Sequence, residues 1–201
     1  MTIQFWFEFA STYSYPAAMR IEAAAAARGI AIEWKAFLLG PIFKSQGWND
    51  SPFNLYPAKG RYMWRDLARV CAALELPLVR PSQFPRNGLL PARVACAFAG
   101  EPWLPAFVRA VYDANFARDE DIANTAVIAR CLERAGQAPE AVLTAAGSDA
   151  SKARLRAQGE EALRLGLFGA PSFVVGEELF WGNDRLETAL AWHSAQSAVR
   201  I

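Results

Sequence analysis

The chain opens on a strict alternation. Ile3, Phe5, Phe7 and Phe9 fall on one side of an extended backbone, and Gln4, Trp6 and Glu8 on the other. A period of two with aromatic enrichment predicts a strand. Ala10-Ser11-Thr12 supplies small residues for a turn. Tyr13 to Arg28 reads as a helix that ends in an alanine run and stops at Gly29. Pro16 fits that helix in its first turn, where a backbone N–H has no partner to lose. Alternation returns from Ile30 to Phe37. The N-terminal part is thus β-α-β, with two parallel strands joined by a crossover.

The period then changes. Gly40 to Pro57 holds three prolines among polar residues and is expected to be a long loop. From about Lys59 to Leu165 the apolar spacing is helical. Met63, Leu67, Val70, Cys71 and Leu74 form one stripe. Pro77 to Pro85 is a breaker-rich connection. Further helices are expected near 91–99, 102–116, 125–135, 139–146 and 149–165, several of them opening on proline. Ser172 to Val175 and Leu179 to Trp181 flank a turn at Gly176-Glu177-Glu178 and predict a hairpin. A last helix is expected from near Asp184, where Asp184-Arg185-Leu186-Glu187 has the spacing of a capping box. Leu186, Leu190 and His193 share its apolar face.

The order is therefore β-α-β, a helical block, then β-β-α. An α/β thioredoxin-like fold with an inserted all-helical domain has this order, although order alone leaves other α/β arrangements open. The corresponding boundaries are 1–40 and 166–201 for the discontinuous thioredoxin-like domain and 41–165 for the inserted loop and helices.

Composition narrows the function classes. With 201 residues, 53% hydrophobic and 20% charged, the chain can bury one good core. Lys and Arg number 21 against 20 acidic residues, so nothing in the net charge of +1 favours nucleic acid. No apolar run approaches the roughly 18 residues of a membrane span. No membrane partner is therefore expected, and the opening Met1-Thr2-Ile3-Gln4 lacks a basic segment, so no signal peptide is expected either. Three scattered cysteines, Cys71, Cys96 and Cys131, then point to the reducing cytoplasm. They form no CxxC, and a single histidine excludes a histidine-rich metal site. Cys71 and Cys131 lie on apolar stripes as buried thiols would; Cys96 is ambiguous. The chain is short of reactive groups of its own.

Three junctions remain as candidates for chemistry. Ser11 lies where the first strand meets the first helix, and unsatisfied N–H groups at a helix start favour an anion or thiolate; its plain alternative is helix capping. Gly169-Ala170-Pro171-Ser172 precedes the hairpin and reads equally as an ordinary loop leading into a strand. Trp181-Gly182-Asn183-Asp184 suits a turn and cap, or a grip on a ligand's charged end.

Taken together these segments resemble the 2-hydroxychromene-2-carboxylate isomerase family, relatives of kappa-class glutathione transferases within the DsbA-type oxidoreductases. Phe5-Trp6-Phe7-Glu8-Phe9-Ala10-Ser11-Thr12-Tyr13-Ser14-Tyr15 is similar to the family's strand followed by Ser-Pro-Tyr-Ser, with Thr12 in place of its proline. Lys59-Gly60-Arg61-Tyr62-Met63 with Asp66-Leu67 resembles the start of its helical insertion. Gly166-Leu167-Phe168-Gly169-Ala170-Pro171-Ser172-Phe173 resembles its cis-proline loop, and Phe180-Trp181-Gly182-Asn183-Asp184-Arg185-Leu186 its glutathione-contacting turn.

The resemblance implies a glutathione cofactor and a small aromatic carboxylate substrate in naphthalene-type catabolism. Ser11 becomes the catalytic residue, donating a hydrogen bond to the glutathione thiolate. The Ala170 backbone, before a cis Pro171, would pair with the cysteinyl backbone, and Trp181, Gly182, Asn183 and Asp184 would hold the γ-glutamyl end. Lys44, with Asn54 and Leu55, would contact substrate, Lys44 through its carboxylate; a solvated loop lysine and a competing Asn49 are the alternatives. Ser11-Thr12-Tyr13-Ser14 lacks the thiols of Cys-x-x-Cys, so dithiol exchange by this motif is impossible. The resemblance also implies a homodimer. A kappa-like transferase acting on another electrophile and a non-enzymatic binding module are the rival readings.

Overall fold

A computed structural model of the chain describes residues 2–199. The opening alternation forms β1 (Ile3–Phe7), followed by α1 (Ser14–Ala26) and β2 (Ile32–Ala36). After the helical block come β3 (Ser172–Val175) and β4 (Glu178–Trp181). The four strands make one sheet in the order β2-β1-β3-β4, with β1 parallel to β2 and antiparallel to β3. Phe5 sits opposite Trp34 on one side and Phe173 on the other. Its ring stacks on Phe173 at 5.5 Å and meets Trp34 edge-on at 5.1 Å, within the range in which aromatic pairs attract. Cross-strand aromatics of this kind fix the register of the central strand.

Both faces of β1 are covered. Ile3, Phe5 and Phe7 enter the main core, and Trp6 on the other face is equally buried, in a second cluster with Phe37, Ile42, Leu167 and Val174. The main core runs without a break from the sheet into the helices through Phe107, Tyr112 and Phe116.

Those last three side chains belong to α6. The helices between β2 and β3 are α2 (Leu39–Ser45), α3 (Pro52–Leu55), α4 (Pro57–Ala73), α5 (Leu89–Ala97), α6 (Leu104–Phe116), α7 (Thr125–Arg134), α8 (Pro139–Gly147) and α9 (Asp149–Arg164). From α4 onward they follow the expected boundaries within a few residues. The 40–57 segment differs: the structure replaces a long loop by α2, α3 and the start of α4. Pro41 lies in the first turn of α2, while Pro52 and Pro57 open α3 and α4. Their rings begin helices here and break none.

The C-terminal helix also departs from expectation. A 3-10 turn (Asn183–Arg185) leads into α10 (Leu186–Val199), and no side chain caps the turn. Glu187 closes no capping box; its carboxylate reaches across to Arg20 and Arg28 on α1. His193 is buried with Leu186 and Leu190. Among the described residues no helix is long and apolar enough to cross a membrane.

Candidate active site

Ser11 lies in the turn between β1 and α1. Its backbone N–H donates to the Glu8 carbonyl at 3.0 Å, which folds the chain back at the strand end. Its hydroxyl does two things. It accepts the Ser14 N–H at 3.3 Å, the capping role, and donates to the Ala170 carbonyl at 3.0 Å. Thr12 is buried in the same turn. The bond to Ala170 joins the first strand-helix junction to the loop before β3, where the Ala170–Pro171 peptide is cis.

The third segment closes on the second. The Gly182 N–H donates to the Pro171 carbonyl at 2.9 Å. Gly182 has φ of +113°, a conformation for which a side chain is unsuited, and a Cβ there would stand 2.5 Å from the Asp184 carboxylate. Gly169 packs so closely under the Trp181 indole that any Cβ would collide with its Nε1. The indole, half exposed, leans edge-on against Phe168 at 4.9 Å. Asn183 is buried and fixed by Arg20 of α1, which donates to its side-chain oxygen at 3.2 Å and its main-chain oxygen at 2.7 Å. Asp184 instead holds its carboxylate out to solvent, 3.6 Å from Arg185.

These residues share one cavity of about 1770 Å³. Ser11, Ala170, Trp181, Gly182, Asn183 and Asp184 line it, and so do Lys44, in the last turn of α2, and Asn49. Among the described residues no carboxylate pairs with Lys44, which leaves its ammonium for an anion in the cavity. Pro171 stands behind the wall and contributes its carbonyl to Gly182. Asn54 and Leu55 do not line the cavity. The short α3 turns the Asn54 amide onto the Asp50 carboxylate at 3.1 Å and leaves Leu55 on the surface.

The walls carry several aromatic rings. Phe43, Trp48, Phe53, Phe84 and Phe168 contribute rings, and Tyr13 stands beside Ser11 with its hydroxyl on Asp66 at 3.0 Å. Burial and the neighbouring Asp66 carboxylate push the Tyr13 phenol up, so it remains a neutral donor. The three thiols are not available. Burial pushes Cys71 and Cys131 up to about 11 and Cys96 to about 12, and all three are enclosed. A thiol held protonated and out of solvent is no nucleophile.

One cavity residue gave no signal in the sequence. Glu8 is 7% exposed, and its carboxyl accepts the Ala10 N–H at 2.9 Å. Burial pushes it up to about 8, against the N–H groups of Ala10 and Ser11, which pull the other way. By alternation Glu8 read as the polar face of a strand. Arg20 gives no signal either, since a single arginine within an alanine-rich helix carries no motif.

Comparison with known proteins agrees with this architecture. Residues 2–191 match the family described as the DSBA-like thioredoxin domain. A 2-hydroxychromene-2-carboxylate isomerase of Sphingobium xenophagum is 32% identical over 92% of this chain and 94% of its own. Glutathione S-transferase kappa 1 of Rattus norvegicus is 25% identical over 79% of this chain and 75% of its own. Among solved structures, a 2-hydroxychromene-2-carboxylate isomerase superposes over 100% of both chains with a TM-score of 0.83 at 27% identity. The fold is thioredoxin-like with a helical insertion, and the chain belongs to the DSBA-like thioredoxin domain family, in the branch of the 2-hydroxychromene-2-carboxylate isomerases.

Proposed function

We propose that this chain is a glutathione-dependent isomerase that interconverts 2-hydroxychromene-2-carboxylate and its ring-opened trans isomer. The observation that carries this reading is the 3.0 Å bond from the Ser11 hydroxyl to the Ala170 carbonyl, on the wall of a large cavity with several aromatic rings. It is a pair of groups satisfying each other where a peptide-like thiol would satisfy both. A cysteinyl N–H docked as a short strand takes the Ala170 carbonyl. The Ser11 O–H is then released toward a sulfur, with the start of α1 behind it adding partial positive charge. The exposed Asp184 carboxylate at the rim suits the ammonium end of the same tripeptide. Glutathione bound there would supply a thiolate able to add to a conjugated double bond and leave again after rotation.

The protein's own part is to hold and orient. Ser11 keeps the sulfur charged while free, and Lys44 anchors the substrate carboxylate across the cavity. The aromatic walls exclude water from a flat substrate. Similarity to isomerases and to kappa-class transferases supports an enzyme that works with such a thiol. Lys44 favours the isomerase over transfer to a neutral aryl halide, because a cation facing the cavity matches a carboxylate substrate.

The test is isomerisation of the chromene carboxylate with and without glutathione, for the native protein and Ser11→Ala. Activity that requires glutathione and falls about 100-fold in the variant is the expected result. Undiminished activity in the variant, or full activity without a thiol, would overturn the reading.

A further inference from the structure

Glu8 makes no bond to the Ser11 hydroxyl, yet among the described residues it is the buried carboxyl that lines this cavity. It follows β1 directly and stands three residues before Ser11. Its backbone is anchored from beneath, where the Tyr112 hydroxyl of α6 donates to its carbonyl at 2.9 Å. Its side chain approaches the chain at Gly88, where a Cβ would meet Oε1 at 3.0 Å and the Phe9 Cβ at 3.2 Å. Gly88 and Asn87 line the same cavity. No lysine or arginine pairs with Glu8 among the described residues. The nearby Arg86 guanidinium turns away, onto the Asn115 side chain at 3.1 Å and onto Asp119. With no cation beside it, burial holds the carboxyl up to about 8 even against the backbone N–H groups of Ala10 and Ser11, so at neutral pH the protonated form predominates. Such groups in clefts serve as acids.

The proposed substrate needs an acid. A 2-hydroxychromene carries a hydroxyl and the ring oxygen on one carbon, so it is a cyclic hemiketal. Its carbon–carbon double bond cannot rotate until the ring opens. We propose that Glu8 is the catalytic residue for that opening, shuttling a proton between the hemiketal hydroxyl and the ring oxygen. The bond from the hemiketal carbon to the ring oxygen breaks, and its electron pair goes to that oxygen. The oxygen takes the Glu8 proton and becomes a phenol. The hydroxyl electrons form the ketone, and the hydroxyl proton returns to the Glu8 carboxylate. The acid is regenerated and nothing is oxidised or reduced. The inference rests on the isomerase reading for the identity of the substrate, but the step it assigns involves no thiol.

That independence provides the test. Exchange between the closed chromene and the open cis keto acid is followed by NMR magnetisation transfer with the native protein in the absence of glutathione. Glutathione-dependent isomerisation is measured separately on the O-methyl ether of the ring-opened substrate, which cannot close. We expect the native protein to accelerate ring exchange and Glu8→Gln to slow it about 100-fold, within the usual range for a general acid. On the methyl ether, which has no ring to open, the variant should lose much less than it loses in ring exchange, and glutathione binding retained in calorimetry shows that its site is folded. Glu8→Gln that exchanges the ring at the native rate, or that loses both activities alike, overturns the inference. So does a native protein that leaves ring exchange unaccelerated. A native protein that accelerates ring exchange but does not isomerise the methyl ether overturns the glutathione mechanism and leaves the role of Glu8 standing.

Discussion

Arg20 holds Asn183 by both of its oxygens, the main-chain one at 2.7 Å and the side-chain one at 3.2 Å. A residue on the second turn of α1 thereby fixes the turn that follows β4. The Asn183 side-chain oxygen is already engaged, so the residue shapes the turn, and Asp184 beside it is the group presented outward. Replacing Arg20 by Met removes these bonds, and a hydrogen bond to a charged group contributes roughly 1.5–3 kcal/mol. We expect a lower urea midpoint and a glutathione Kd raised about 10-fold, with little change in kcat at saturation. Calorimetric titration with glutathione checks the affinity.

The buried Glu8 gives stability a pH dependence of definite sign. Between about 4.5 and about 8 the folded chain keeps a proton that the unfolded chain has released. Stability must therefore fall as the pH rises through that window and level off above it. Glu8→Gln removes the slope. Urea midpoints measured across this range should decline for the native protein and stay flat, by comparison, for the variant.

Lys44 is assigned to the substrate carboxylate. Lys44→Met should raise KM for the chromene carboxylate about 10-fold and leave the affinity for glutathione unchanged. Added salt should weaken substrate binding to the native protein more than to the variant, because an exposed charge pair is screened. Steady-state kinetics at two ionic strengths read both effects.

Gly169 meets the Trp181 indole with no room for a methyl group. Gly169→Ala should destabilise the chain by about 1–3 kcal/mol, the usual cost of overpacking, and weaken glutathione binding through the displaced loop. Trp181→Leu in the same chain should restore part of both. A double-mutant cycle measures the coupling.

Much of this fold was legible in the pattern of the chain. The β1 alternation and the helices from α4 onward carry their periods openly, because each buries one regular face. The 40–57 segment was opaque because proline signals a loop and a helix start equally well, and Pro52 and Pro57 were the latter. Asp184 to Glu187 has the spacing of a local cap, but Glu187 found stronger partners in Arg20 and Arg28, far off in sequence. Ser11, Ala170 and the Trp181–Asp184 turn stood at junctions, and the structure brings them to one cavity. Glu8 stood on the polar side of an alternating strand. Only the second cluster around Trp6 shows that this side, too, is covered.

The bond between Ser11 and Ala170 spans 159 positions of chain. One half of the site is made at the start of synthesis and the other near its end, with all the helices from α2 to α9 in between. A nascent chain carries the Ser11 turn early, but without its partner it has no edge on which a thiol could dock. On the proposed function, a chain cut before the β3–β4 hairpin keeps the Ser11 turn but lacks the Ala170 carbonyl it bonds, and is expected to be inactive.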